Sequence, residues 1–170
     1  MGRVLLGVTG GIAAYKACEL TRLLVRAGHE VTPILTPGAE RFVTAQTFEA
    51  LAGREMPREL FPHLVEADLL VIAPLSANTL AKLAQGLADN VLTQTALAFG
   101  GRVLVAPAMN VRMWRHPATA RNIQQLVDDG VKVIEPAEGE MACGEHGPGR
   151  LPEPEAIMAW LGDNGFLAAK

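Results

Sequence analysis

The sequence has no run of basic residues and no stretch of ~18 apolar residues, and its apolar start stops at Val8, where glycines interrupt it. A phosphodiester backbone is therefore not an expected partner, a membrane-crossing helix is not expected, and the opening segment is too short for a signal peptide with a cleavage site. The cytoplasm is the expected compartment. Charge is sparse as well: 15 Lys+Arg against 18 Asp+Glu leave a net −3, so there is neither a basic face nor the polar excess of a disordered chain. Only two cysteines occur, Cys18 and Cys143; reducing cytosol disfavours a disulfide between them, and each is considered alone. Internal repeats, low-complexity segments, ATP-binding motifs and metal-ligand constellations are missing too.

What is present is a globular composition, 49% hydrophobic, in a chain of 170 residues that suits one domain over 1–170 and leaves no room for a second full one. Continuous apolar runs read as buried strands at Arg3–Val8, Val31–Leu35, Leu69–Ala73 (the most apolar), Arg102–Ala106 and Val131–Ile134. Between them lie helical patterns. The first carries Ile12, Tyr15, Leu20, Leu23 and Leu24 at helical spacing and is ended by Gly28; others cover Thr47–Ala52, Leu80–Gly86, Asn90–Ala98, Thr119–Asp129 and Pro152–Leu161. Pro74–Thr79 reads as a turn, and Gly53–Pro62, with two prolines and four charges, as an exposed, mobile connection. Apolar strands alternating with helices predict a parallel sheet covered on both faces, a three-layer doubly wound α/β domain.

In such a sheet a ligand binds beyond the carboxyl ends of the strands, so the loops after each strand are the places to look. The first, Gly7 to Ile12, is made of small residues that let a phosphate approach main-chain N–H groups at a helix start, though its spacing is neither a dinucleotide fingerprint nor a P-loop and a plain tight turn explains it equally well. Thr36-Pro37 and Pro74–Thr79 add hydroxyls at two further strand ends. Helix capping accounts for Ser76 and Asn78 singly; only the co-occurrence of the three loops favours a mononucleotide site. The fourth loop, Pro107–Trp114, places Asn110, Arg112, Met113 and Trp114 where a simple turn needs none of them.

That fourth stretch resembles the PxMNxxMW motif of the homo-oligomeric flavin-containing cysteine decarboxylases. The likeness extends through Gly-Gly-Ile-Ala-Ala-Tyr-Lys16, Ser-Ala-Asn-Thr79, His116-Pro117 and Ala142-Cys-Gly-Glu-His-Gly-Pro-Gly-Arg150, and so covers nearly the whole chain. It implies a flavodoxin-like (Rossmann-like) fold, FMN as cofactor, and, in the phosphopantothenoylcysteine decarboxylase branch, conversion of 4'-phosphopantothenoylcysteine to 4'-phosphopantetheine for coenzyme A. The substrate's cysteine side chain is oxidised to a thioaldehyde, CO₂ leaves, and the enethiolate is reduced.

By the same resemblance FMN rests on Gly10, Gly11, Ile12, Thr36, Ser76, Ala77, Asn78, Thr79 and Met109. Asn110 holds the substrate's carboxylate or amide, Met113 lines that pocket, and Cys143 gives the proton of the reducing step. An ordinary thiol, with a pKa of ~8.5, is protonated at neutral pH and can serve as an acid. The plainer reading of a lone cysteine, a small buried hydrophobe, is assigned to Cys18. His63 matches the family's base, a group suited to taking and returning a proton, although its connection to Ala67-Asp68 is shorter than the family pattern. His29, His116 and His146 are read as surface or loop residues. Arg112 falls at a variable motif position and is left out; Tyr15, Lys16 and Arg121 carry no argument for one use over another.

Resemblance also implies a homotrimer, or a dodecamer assembled from trimers, and a phosphopantothenate-cysteine ligase domain or protein as partner. Three relatives compete. Peptidyl-cysteine decarboxylases share the Asn110 motif but not the Cys143 segment, flavin prenyltransferases share the early glycine turn but not PxMNxxMW, and non-catalytic FMN-binding regulatory subunits tend to lose the histidine, asparagine or cysteine.

Overall fold

Five of the apolar runs become strands of one sheet: β1 (Arg3–Val8), β2 (Glu30–Leu35), β3 (Leu69–Leu75), β4 (Arg102–Pro107) and β5 (Lys132–Val133). In the computed structural model, which describes residues 1–54 and 66–167, they pair in parallel in the order β2-β1-β3-β4-β5. The strands are apolar throughout because both faces are covered. In β1, Val4, Leu6 and Val8 point into one core and Leu5 into the other; in β3, Leu69, Val71 and Ala73 are separated from Leu70, Ile72 and Leu75 in the same way.

The first core is closed by α1 (Ala14–Arg26), α2 (Ala45–Ala52) and α7 (Pro154–Asp163), through Leu20, Leu24, Phe48, Ile157 and Leu161. The second is closed by α3 (Ala77–Ala84), α4 (Val91–Ala98) and α6 (Pro117–Asp128), through Leu80, Leu92 and Leu126. Burying one such leucine stabilises by roughly 1.5–3 kcal/mol. Helix starts follow from the side chains there: Asn90 and Thr93 form a capping box for α4, and Pro117 occupies the first turn of α6.

Chain order and spatial order diverge between β1 and β3. The connection leaving β1 crosses one face toward β2, while the one leaving β3 crosses the other toward β4. A crevice therefore opens above the carboxyl ends of β1 and β3, the place where ligands of doubly wound sheets bind.

The structure departs from the sequence reading in several places. Pro74 and Leu75 complete β3 and Ala77 already begins α3, so Pro74–Thr79 is a strand end and a helix start, because Ser76 Oγ accepts from the Thr79 N–H at 3.3 Å. Pro107–Trp114 is not all loop: Val111–Trp114 forms α5, and Trp114 packs against the second core. Of Val131–Ile134 only Lys132–Val133 pairs as strand, with the Ile134 N–H bonded to Val105 O at 2.9 Å. Ile12 and Tyr15 do not continue the apolar stripe; each is 60% exposed, and α1 starts only at Ala14. His29 is buried, its Nδ1 accepting from the Gly2 N–H at 3.3 Å, and is not a surface residue. Most of the predicted Gly53–Pro62 connection lies outside the described residues. A two-stranded antiparallel ribbon, β6 (Ala137–Glu140) with β7 (His146–Arg150), was not anticipated and sits over the crevice beside α5.

Candidate functional site

The rim of the crevice is fixed by hydroxyls and by close backbone contact. Thr9, fully buried just after β1, donates to Pro74 O at 2.7 Å and accepts from the Ser76 N–H at 2.8 Å, joining the loops after β1 and β3. Thr36, buried after β2, donates to Val8 O at 3.4 Å and accepts from the Ala39 N–H at 3.2 Å. Gly10 leaves no room for a side chain, since a Cβ there would stand 2.9 Å from the Gly38 carbonyl group. The three strand ends thus form one continuous wall.

Two cavities open along that wall. One, within the roughly 300–1,000 Å³ usual for small-molecule sites, measures about 720 Å³ and is lined by Gly10, Gly11, Ile12, Ser76, Ala77 and Met109, together with Asn110, Met113 and Cys143. The second, of 490 Å³, is lined by Gly10, Thr36, Ser76, Ala77, Asn78 and Thr79, and its mouth carries Arg41 and Lys82. Gly10, Ser76, Ala77 and Met113 face both. Every residue assigned to FMN therefore lies on one of these walls. Ser76 Oγ is engaged as the cap of α3, and Lys82 pairs with Asp89 at 2.5 Å, which draws the Asp89 carboxyl below its ordinary range.

Asn110 faces the first cavity with a defined orientation. Its Oδ1 accepts from the Arg112 N–H at 2.8 Å and caps α5, so the amide NH₂ is left to point outward. That nitrogen donates to the Glu145 carboxylate and lies 3.6 Å from Cys143 Sγ. Cys143 is exposed at the tip of the ribbon, with Sγ 3.8 Å from Glu145 Oε2, and Arg112 Nε reaches Glu145 Oε1 at 2.9 Å. The ribbon is held against the site by the Met109 N–H, which donates to Gly149 O at 2.9 Å; Gly149, with φ +135°, is the residue type required, because a Cβ would overlap the Met109 carbonyl.

Lys16 lines the same cavity from α1. Its Nζ, mostly buried, donates to Glu153 Oε1 at 2.7 Å and to Leu151 O at 3.4 Å, and Arg150 reaches the same Glu153 oxygen at 3.1 Å. The Lys16 hydrogen bond, with the charges of both cations, holds the Glu153 carboxyl below the usual carboxylate range. Cys18 packs against the first core and burial pushes its thiol pKa up, the behaviour of a structural cysteine. His116 caps α6 through Nδ1, and His146 is exposed on β7. His63 lies outside the described residues. The sequence reading assigned no role to Thr9, Glu145, Arg150 or Glu153. Thr9 carries no signal apart from its place after a strand, whereas Glu145 stands inside the very segment that drew attention to Cys143.

A cavity at the β1/β3 switch point of a parallel 2-1-3-4-5 sheet, walled by glycines and hydroxyls, defines the class: a flavodoxin-like α/β protein with a mononucleotide-sized site. Residues 2–164 match the family model described as Flavoprotein, and the chain belongs to that family. The Coenzyme A biosynthesis bifunctional protein CoaBC of Bacillus subtilis (strain 168) is 50% identical over 166 residues, covering 91% of this chain and 41% of that protein. The chain thus spans about two fifths of the length of the curated relatives it matches. Among solved structures, a PPC decarboxylase variant complexed with pantothenoylaminoethenethiol aligns with a TM-score of 0.86 at 32% identity, over 98% of this chain and 99% of that one. The FMN-dependent cysteine decarboxylase SpaF aligns with a TM-score of 0.79 at 31% identity, over 97% and 98%.

Proposed function

We propose that this chain binds FMN and decarboxylates 4'-phosphopantothenoylcysteine to 4'-phosphopantetheine in coenzyme A synthesis. The observation that carries the reading is the Asn110 amide, turned outward by its own capping bond and placed 3.6 Å from the Cys143 thiol on a cavity wall. Support comes from relatives named for coenzyme A biosynthesis and from the likeness to a PPC decarboxylase.

The residues present fit the cofactor. Ile12, Met109 and Met113 give the first cavity apolar surface for a ring system, Gly10 and Gly11 bring main chain to the wall without side chains, and Thr36, Asn78 and Thr79 supply polar groups in the second. FMN, when bound, supplies the two-electron oxidation of the substrate's thiol-bearing carbon and the return of those electrons once CO₂ has left. The protein's own groups position and protonate. The outward Nδ2 of Asn110 offers N–H donors and no acceptor to the substrate's carboxylate, which orients the bond that breaks. Cys143, near that amide, delivers a proton to the carbon skeleton left after CO₂ departs. His63 is assigned the base on its sequence position.

The PPC decarboxylase in the alignment is a cysteine-to-serine variant complexed with an enethiol, which supports a cysteine acting after CO₂ is lost. The Cys143 segment also favours this reading over a peptidyl-cysteine decarboxylase, a flavin prenyltransferase or an FMN-binding regulatory subunit. Residues 1–170 are taken as one flavoprotein domain working in the cytoplasm within a trimer or dodecamer, with a phosphopantothenate-cysteine ligase domain or protein supplying its substrate.

The test is a spectrum of the purified protein, identification of the released chromophore by mass, and an assay for CO₂ from phosphopantothenoylcysteine. FMN near one per chain with CO₂ release is expected; FMN without CO₂ release would point to the regulatory subunit. Cys143→Ser is expected to release CO₂ still and to accumulate the unreduced enethiol, and normal phosphopantetheine output would refute the proton-donor role.

A further inference from the structure

The Glu145 carboxylate occupies an unusual position. It accepts from Asn110 Nδ2 through one oxygen and pairs with Arg112 Nε at 2.9 Å through the other, so it is a carboxylate seated on the Asn110 amide that a substrate carboxylate would use. The seat is full: Asn110 Oδ1 is committed to the Arg112 N–H, and the two N–H groups of its Nδ2 are directed to the Glu145 carboxylate and to Cys143 Sγ, 3.6 Å away. Among the described residues the cation paired with Glu145 is Arg112, whose side chain is 86% exposed and so offsets little of the repulsion between two neighbouring carboxylates. A substrate carboxylate reaching Asn110 Nδ2 would therefore compete with Glu145 for the same donor and meet its like charge. The same Glu145 oxygen lies 3.8 Å from Cys143 Sγ, two residues away in the turn of the ribbon.

We propose that Glu145 is a positioning residue, an internal stand-in for the substrate's carboxylate that holds the Cys143 turn against Asn110 and is exchanged for that carboxylate when substrate binds. This rests on the function proposed above. An internal competitor lowers apparent affinity by the fraction of molecules in which the seat is taken, and only for ligands that need the seat. A ligand without a carboxylate can bind with Glu145 in place. The exchange also frees the ribbon's turn to follow the substrate, so that a ligand bearing a carboxylate loosens the contact between Glu145 and Asn110.

The experiment measures, by titration calorimetry on the FMN-loaded protein and its Glu145→Ala and Glu145→Gln variants, dissociation constants for two ligands. One is 4'-phosphopantothenoylserine, which keeps the carboxylate and has no thiol to oxidise. The other is 4'-phosphopantetheine, which has no carboxylate. Glu145→Ala is expected to tighten the serine analogue by about 3- to 10-fold, the size of one charge-assisted contact released, and to leave phosphopantetheine within about twofold, with Glu145→Gln between. Equal changes for both ligands, or weaker binding of the serine analogue, would overturn the exchange while leaving the proposed substrate in place. Failure of both ligands to bind the unaltered protein would instead overturn the substrate assignment, and the exchange with it.

Discussion

The strand-end rim and the ribbon face each other across one cavity and hold their functional atoms by different means. On the rim, Thr9 and Thr36 are buried, their hydroxyls bonded to main chain of neighbouring strand ends, and Gly10 touches Gly38 too closely for any side chain. On the ribbon, Cys143 is exposed and its surroundings are side chains: Asn110, Glu145 and, through Glu145, Arg112. A cradle for a resident group is best made from backbone that cannot shift, whereas groups that must meet a passing substrate are carried on an element with little core of its own.

Gly10→Val breaks the rim side of this comparison with the largest expected effect. Its side chain would force the loops after β1 and β2 apart, and the purified variant should lose most of its flavin absorbance while circular dichroism stays native. Asn110→Ala comes next, since this residue belongs to the rim by its backbone and to the ribbon by its amide. Decarboxylation should fall by about 10²–10³ with flavin retained, and loss of the α5 cap should cost about 1 kcal/mol in denaturant melts; loss of the flavin as well would make it a cofactor residue. Gly149→Ala sharpens the ribbon side, where a Cβ meets the Met109 carbonyl and φ is +135°. Here kcat/KM should drop about tenfold and limited proteolysis near 141–146 should quicken, with flavin content unchanged.

The smallest effect is acid dependence. Glu153, whose carboxyl is held below its ordinary range in the folded protein, contributes stability that is present above the unfolded value of ~4.3 and is lost as pH falls through the folded value. Because its side chain is 56% exposed, the contribution is roughly 1 kcal/mol or less. Thermal midpoints below about pH 4 should fall less steeply for Glu153→Gln than for the unaltered protein.

The rim was legible in the sequence because sheet strands buried on both faces are bare apolar runs, and the residues following them can be named once the strands are placed. Gly10, Thr36, Ser76 and Met109 were found that way, with the family likeness supplying their joint purpose. The ribbon was not legible as structure. Glycines at 139, 147 and 149 and a proline at 148 leave β6 and β7 without an apolar alternation, so their pairing is set by contact with α5 and not by their own pattern. Asn110 stands out in the sequence because a simple turn needs no asparagine, yet it also caps a helix too short to show any period. Glu145 and Arg112 became visible only as a pair, since their meeting depends on how the ribbon lies on α5.

The Thr9 hydroxyl has a wider meaning for how this sheet can vary. It is at once donor to Pro74 O and acceptor from the Ser76 N–H, so a single oxygen spans the seam where the chain's winding reverses. A serine could keep both bonds; a valine, although nearly the same shape, would take the acceptor from the part-buried Ser76 N–H and leave Pro74 O only the longer bond from the Thr9 N–H at 3.3 Å. The seam behaves as a welded joint, and loops on its two sides inherit one another's displacements. Diversity in ligand choice is then free to accumulate on the ribbon, while the strand-end rim stays still.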